Sequence, residues 1–197
     1  MSRKLLSVQQ RAVKPTDYIA ILEALANITT SEKANRKWQL YFRVLWETGI
    51  RPGEALGIVA SDVGSGFLKV RRLKKKGHPE DEVKIQPVLE LALKSYIASA
   101  RLKPKDRLFP TTIQSVHFIF NQVKHKLCLP EYITPHSFRH GFAMNFKEQA
   151  PPELKADALK LLTLLQRALA HENISSTSVY IQSDKSEVDK LIEEMRF

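Results

Sequence analysis

Thr48-Gly49-Ile50-Arg51-Pro52-Gly53-Glu54-Ala55-Leu56 reads as a helix stop followed at once by a helix start. Gly49 can take the left-handed conformation that closes a helix. Pro52 and Glu54 suit a first turn, where the missing N–H is not needed and a negative charge meets the helix dipole. Arg51 is therefore expected at a turn leading into a helix, not in the middle of one. Upstream, residues 31–48 carry Trp38, Tyr41, Phe42, Leu45 and Trp46 at helical spacing. That stripe predicts a long helix facing a core. Residues 16–27 repeat the spacing with Tyr18, Ile21, Leu22 and Leu25, and Thr16, behind Pro15, is the expected N-cap.

Downstream, residues 66–72 and 82–86 read as two short strands, with Gly77, His78 and Pro79 between them suggesting a hairpin. Further helices are expected over 88–101, 113–126, 136–148, 153–168, 174–181 and 185–196, with Pro151-Pro152 as a break. The expected fold is mostly α with a small antiparallel β-sheet (α+β). There is no internal repeat and no Gly/Ser linker.

Composition narrows the function. Thirty-one Lys and Arg against 21 Asp and Glu give a net charge of +10 over 197 residues. A polyanionic partner fits such a balance, and nucleic acid is the commonest one. Cys128 is the only cysteine, which excludes an internal disulfide and a zinc-finger type of metal cage. A reducing, cytoplasmic setting is expected. No run of apolar residues is long enough for a transmembrane helix, and no h-region follows the basic start at Arg3 and Lys4. Cys128 itself reads as a small buried hydrophobe.

Four separated pieces carry the chemistry: residues 48–56; Arg71-Arg72-Leu73-Lys74-Lys75-Lys76-Gly77; Thr134-Pro135-His136-Ser137-Phe138-Arg139-His140-Gly141; and the stretch from Leu169 through His171 to Tyr180. Taken singly, each has an ordinary structural reading. Arg51 suits a surface, Tyr180 suits packing on a helix, and the lysine run suits a solvated hairpin tip. His171 beside Glu172 lacks the second His four residues on that a zinc helix needs, because Ser175 stands there. In order and at these separations, the four pieces resemble the tyrosine recombinase (phage integrase) family. That family has an Arg in a Thr-Gly-x-Arg-x-x-Glu-Leu-like segment, a hairpin Lys, a His-x-x-Arg-His box, and a His nine residues before a nucleophilic Tyr. Here 180 − 171 = 9.

The resemblance implies that Tyr180 attacks a DNA phosphodiester. Two guanidiniums, Arg51 and Arg139, would grip the non-bridging oxygens through fixed forks of donors that stay charged at any working pH. A phenol has an ordinary pKa near 10 and needs cationic surroundings or a base, and His136 is the candidate for proton handling. His171 is placed by the resemblance to hydrogen-bond the phosphate. A hairpin lysine would protonate the leaving 5′-oxygen. Lys76 matches the family position best, with Lys74 and Lys75 as alternatives. No metal or other cofactor is implied, since the arginines supply the charge that Mg²⁺ supplies elsewhere. The partners implied are double-stranded DNA and further copies of the chain, forming a tetramer on DNA; no membrane and no small-molecule substrate is implied.

Some features depart from the family pattern. Ala170 stands where Gly usually precedes the His. Arg139 and Tyr180 are 180 − 139 = 41 positions apart, longer than the family habit, with the extra residues around 150–159. Family members usually carry a helical DNA-clamping domain ahead of the catalytic one, and residues 1–15 are too short for it. Either the chain is a piece of a longer protein, or it is a naturally short recombinase, and in length it resembles the stand-alone fimbrial phase-switch recombinases. The expected organisation is an N-terminal extension over 1–15, a catalytic domain over 16–184, and a C-terminal helix over 185–197 that docks on a neighbouring subunit. Two other readings compete: a DNA-binding regulator on the same fold, and a type IB topoisomerase-like nicking enzyme, against which His136 argues because that family usually has Lys there.

Overall fold

In the computed structural model, which describes residues 7–73 and 80–170, the aromatic helix is the spine of the molecule. Helices α1 (Val8–Arg11) and α2 (Pro15–Leu25) precede the spine, α3 (Glu32–Thr48), and the short α4 (Pro52–Ala55) follows it. A 3-10 turn at Ala60–Asp62 leads to strands β1 (Phe67–Arg71) and β2 (Glu80–Lys84). Then come α5 (Pro87–Ala100), α6 (Ile113–Lys126), α7 (Ser137–Gln149), α8 (Pro152–Ala156) and α9 (Ala158–Leu169). This is the expected mostly helical fold with a small antiparallel sheet. Among the described residues no helix is long and apolar enough to cross a membrane.

Local chemistry sets the bounds of α3. The Ser31 hydroxyl accepts from the Ala34 N–H at one end, and Gly49, at φ 64°, closes the other. Trp38, Tyr41, Phe42, Leu45 and Trp46 are all buried, as their spacing predicts. Phe42 stands 5.5 Å from Phe120 of α6 and 5.1 Å from Phe138 of α7, centroid to centroid, and Tyr41 stands 5.4 Å from Phe109. These ring separations lie in the favourable range for aromatic pairs. A second apolar cluster forms where Ala143 of α7 meets Leu165 and Leu169 of α9.

In β1 the side chains alternate, with Leu68 and Val70 inward and Phe67, Lys69 and Arg71 outward. Leu68 lies opposite Val83, and Val70 opposite Asp81. The segment around Ile58 is tied to the chain near Leu108, whose N–H donates to the Ile58 carbonyl at 2.8 Å.

Four local expectations are corrected. Helix α2 is capped by Lys14, with Pro15 as its first residue, so Thr16 lies inside the helix; proline's fixed φ favours that first position. Strand β2 begins at Glu80 and ends at Lys84, where 82–86 was expected, because its pairing with β1 runs to Arg71↔Glu80. The single helix over 153–168 is two, α8 and α9, since the Asp157 side chain accepts from the Lys160 N–H and starts a new helix. Cys128 is exposed, in the turn after α6 at φ 52°, a conformation that carries its side chain off the helix face.

Candidate active site

The His-x-x-Arg-His box starts α7. His136 is its N-cap residue and Arg139 lies in its first turn. The Ser137 hydroxyl accepts from the Thr134 N–H at 3.0 Å, and the Ser137 carbonyl accepts from the Val13 N–H at 3.2 Å. The helix start is thus pinned from two sides. Phe138 anchors it in the core against Phe42, and the neighbouring Arg139 is 2% exposed.

A guanidinium taken so far out of water must be bonded. Arg139 Nη1 donates to the Gly49 carbonyl at 2.6 Å, and Nη2 donates to the Leu169 carbonyl at 2.6 Å. Those carbonyls lie at the C-terminal ends of α3 and α9, where the helix dipole presents negative charge. Gly49 is two residues before Arg51, and Leu169 is two residues before His171. One side chain therefore ties three motif segments together.

Two glycines permit this closeness. At Gly49 a Cβ would lie 2.5 Å from Phe142 Cδ1 of α7, and φ there is positive. At Gly141 a Cβ would lie 2.5 Å from the Trp46 ring and 2.5 Å from the Val13 carbonyl oxygen. A methyl at either place would push α7 off α3 and off the chain before α2.

Arg51 is the N-cap residue of α4, at the turn as expected. Its N–H donates to Glu54 Oε2 at 2.9 Å, and its Nη1 donates to Glu54 Oε1 at 2.9 Å. From below, the Tyr41 hydroxyl donates to the Pro52 carbonyl at 2.9 Å. Burial pushes the Tyr41 phenol far above its ordinary pKa, so it serves as a neutral donor under α4. The His136 and His140 rings meet edge to face, with centroids 5.0 Å apart.

The structure brings Arg51, His136 and Arg139 to elements that meet around Gly49. Lys74, Lys75, Lys76, His171 and Tyr180 lie outside the described residues. Sequence reasoning read Glu54 only as a first-turn charge and missed how the carboxylates of this region pair with the arginines. Glu54, 1% exposed, also accepts from Arg72 Nη1 at 3.2 Å, and Arg72 Nη2 donates to Asp81 Oδ2 at 2.7 Å. The signal was present in β1: continued alternation after Leu68 and Val70 turns Arg72 inward, apart from the exposed Arg71 with which it was grouped.

Chemically, this is a cationic site with its arginines held in fixed geometry. Arg51 retains 19% exposure of its side chain, so an anion can reach it.

The chain matches the family model described as "Phage integrase family" over residues 12–187. It is 29% identical over 188 residues to the tyrosine recombinase XerC of Rhodospirillum centenum, covering 88% of this chain and 50% of that protein. The chain thus spans about half the length of the curated relatives it matches. Its fold is similar to the catalytic domain of bacteriophage HP1 integrase, at a TM-score of 0.63 and 21% identity, covering 92% of this chain and 93% of that one. It is also similar to the XerH site-specific recombinase solved in a post-cleavage complex with a palindromic difH substrate. There the TM-score is 0.71 at 21% identity, covering 93% of this chain and 52% of that one.

Proposed function

The chain belongs to the phage integrase family, and on that premise we propose that it breaks and rejoins duplex DNA site-specifically through a 3′-phosphotyrosine link to Tyr180. The observation that carries this reading is the pair of bonds from Arg139 to the Gly49 and Leu169 carbonyls. They gather the Arg51 turn, the His136 helix start and the chain leading into His171 at one junction, which is what a shared phosphate site requires.

The step balances without a cofactor. The Tyr180 oxygen attacks phosphorus, and its proton passes to His136. The bond from phosphorus to the 5′-oxygen breaks, and Lys76, or Lys74 or Lys75 in its place, supplies the proton that this oxygen needs. Arg51 and Arg139 neutralise the charge that builds on the non-bridging oxygens, with His171 as a further donor. The reverse step rejoins DNA, since the ester energy is kept in the phosphotyrosine. Copies of the chain assemble into a tetramer on two DNA sites.

The test is covalent capture. A library of nicked duplexes is incubated with the protein, denatured, and searched for strands attached to it. Attachment is expected with the wild-type chain and lost in Tyr180→Phe, while duplex binding persists. Continued attachment in the Phe variant would remove Tyr180 from its role, and no attachment by the wild-type chain would remove the recombinase reading.

A further inference from the structure

The inward face of β1 ends in a charge. Leu68 and Val70 are buried, and the next residue on that face, Arg72, is 1% exposed. An apolar residue would satisfy the alternation there without cost. A guanidinium has to be matched by carboxylates to stay in so dry a place. Its Nε and Nη2 donate to Asp81 Oδ2 at 2.9 and 2.7 Å, and its Nη1 donates to Glu54 Oε2 at 3.2 Å. Asp81 is the diagonal neighbour of Arg72 across the sheet, since it pairs with Val70.

Glu54 is the shared member. Its side chain is fully buried, and its two oxygens serve different arginines: Oε2 takes Arg72 Nη1 and the Arg51 N–H, while Oε1 takes Arg51 Nη1. A carboxylate with one arginine partner can rotate to follow it. Held on Oε2 by the Arg51 N–H from its own turn and by Arg72 from the sheet, Glu54 offers Oε1 in one direction only. That direction fixes one edge of the Arg51 guanidinium and leaves Nε and Nη2 without a partner among the described residues. Sharing also divides the negative charge of Glu54 between two cations, so less of the Arg51 charge is cancelled.

We propose that Arg72 is a positioning residue for Arg51, acting through Glu54 and anchored by Asp81. It links the base of the β1–β2 pair to the aim of the phosphate-gripping arginine. The inference rests on the recombinase reading for its consequence, but the positioning itself can be measured without DNA.

The experiment uses the full chain labelled with ¹⁵N-arginine. The Nε–H resonance of Arg51 is assigned by its loss in Arg51→Lys, and its heteronuclear NOE reports how firmly the guanidinium is held. That NOE should fall in Arg72→Met and in Asp81→Asn, a gentler change because the Asp81 side chain is 40% exposed. Adduct formation on a nicked duplex should slow by about tenfold in both variants, while circular dichroism and duplex binding stay at wild-type levels. If Arg72→Met does not fold, Asp81→Asn carries the same two readings. An unchanged NOE would overturn the positioning role, and a lowered NOE with an unchanged adduct rate would overturn its consequence for catalysis. Wild-type protein that forms no adduct would sink the recombinase reading, and the NOE would still decide whether Arg72 holds Arg51.

Discussion

At the scale of single residues, backbone conformation and charge pairing give the clearest expectations. Ala170 closes α9 at φ 50°, in the left-handed region where a Cβ is strained. The family usually has Gly there, and the geometry explains why. Ala170→Gly should remove the strain and, after the loss of unfolded-state restriction, stabilise the fold by about 0.5–1 kcal/mol. A thermal midpoint raised by a few degrees would show it, and a lowered midpoint would mean that the Ala methyl makes contacts worth more than the strain. A second expectation concerns acid. The buried ammonium of Lys124 donates to Glu131 Oε2 at 2.6 Å, and that hydrogen bond holds the Glu131 carboxyl below the usual carboxylate range. A carboxyl with a lowered folded pKa adds stability that is complete above its unfolded value, about 4.3, and fades as pH falls through the folded value. Glu131→Gln should therefore lower the thermal midpoint at neutral pH. The gap from wild type should close in acid; a gap of constant size from pH 7 to pH 3 would contradict it.

At the scale of elements, what the sequence reveals depends on whether the deciding partner is near in the chain. Helix α3 was legible because its stripe and its stop are both local: the aromatic run and Gly49. Arg51 and Arg139 were put forward as site residues for a different reason, the resemblance of their short motifs to those of the phage integrase family. Strand β2 was less legible. Apart from Val83, its residues Glu80-Asp81-Glu82-Val83-Lys84 are poor strand formers, and the pairing with β1 sets their bounds. The pairing of Glu54 with Arg72 escaped notice because it spans 18 residues, a contact that only the folded sheet creates. The break between α8 and α9 was legible in principle, since Asp157 is a good N-cap, but the run of helix formers on both sides hid it. That cap can be tested directly. Asp157→Ala removes the acceptor of the Lys160 N–H, 2.9 Å away, and should cost about 1 kcal/mol. A larger penalty would show that the break also supports the packing of Leu161 and Leu165 beneath it; none at all would show that α8 and α9 can merge into the single helix that the pattern suggests.

At the scale of the whole molecule, charge and assembly bear on the proposed action on DNA. A net charge of +10 predicts duplex binding that weakens linearly in log–log terms as salt rises, through release of condensed counterions. Assembly asks for something else, a surface that one copy offers another. The sequence after Tyr180 supplies a candidate in Val188, Leu191, Ile192 and Met195, which recur at helical spacing in a segment too short to be a stable helix alone. These residues lie outside the described part of the structure. If they dock on a neighbouring subunit, as the family resemblance implies, the free chain is a monomer and the contact forms on DNA. Deleting residues 185–197 should then leave the thermal midpoint and the salt-dependent binding of one duplex unchanged. It should abolish the slower-migrating complexes that hold two duplexes, and strand exchange with them. The opposite result has an equally physical meaning. A truncated chain that unfolds or aggregates has lost cover for its own core, because an apolar stripe that closes its own domain is needed whether or not DNA is present. Single-site binding separates the two outcomes, since it needs the folded basic surface but no second subunit.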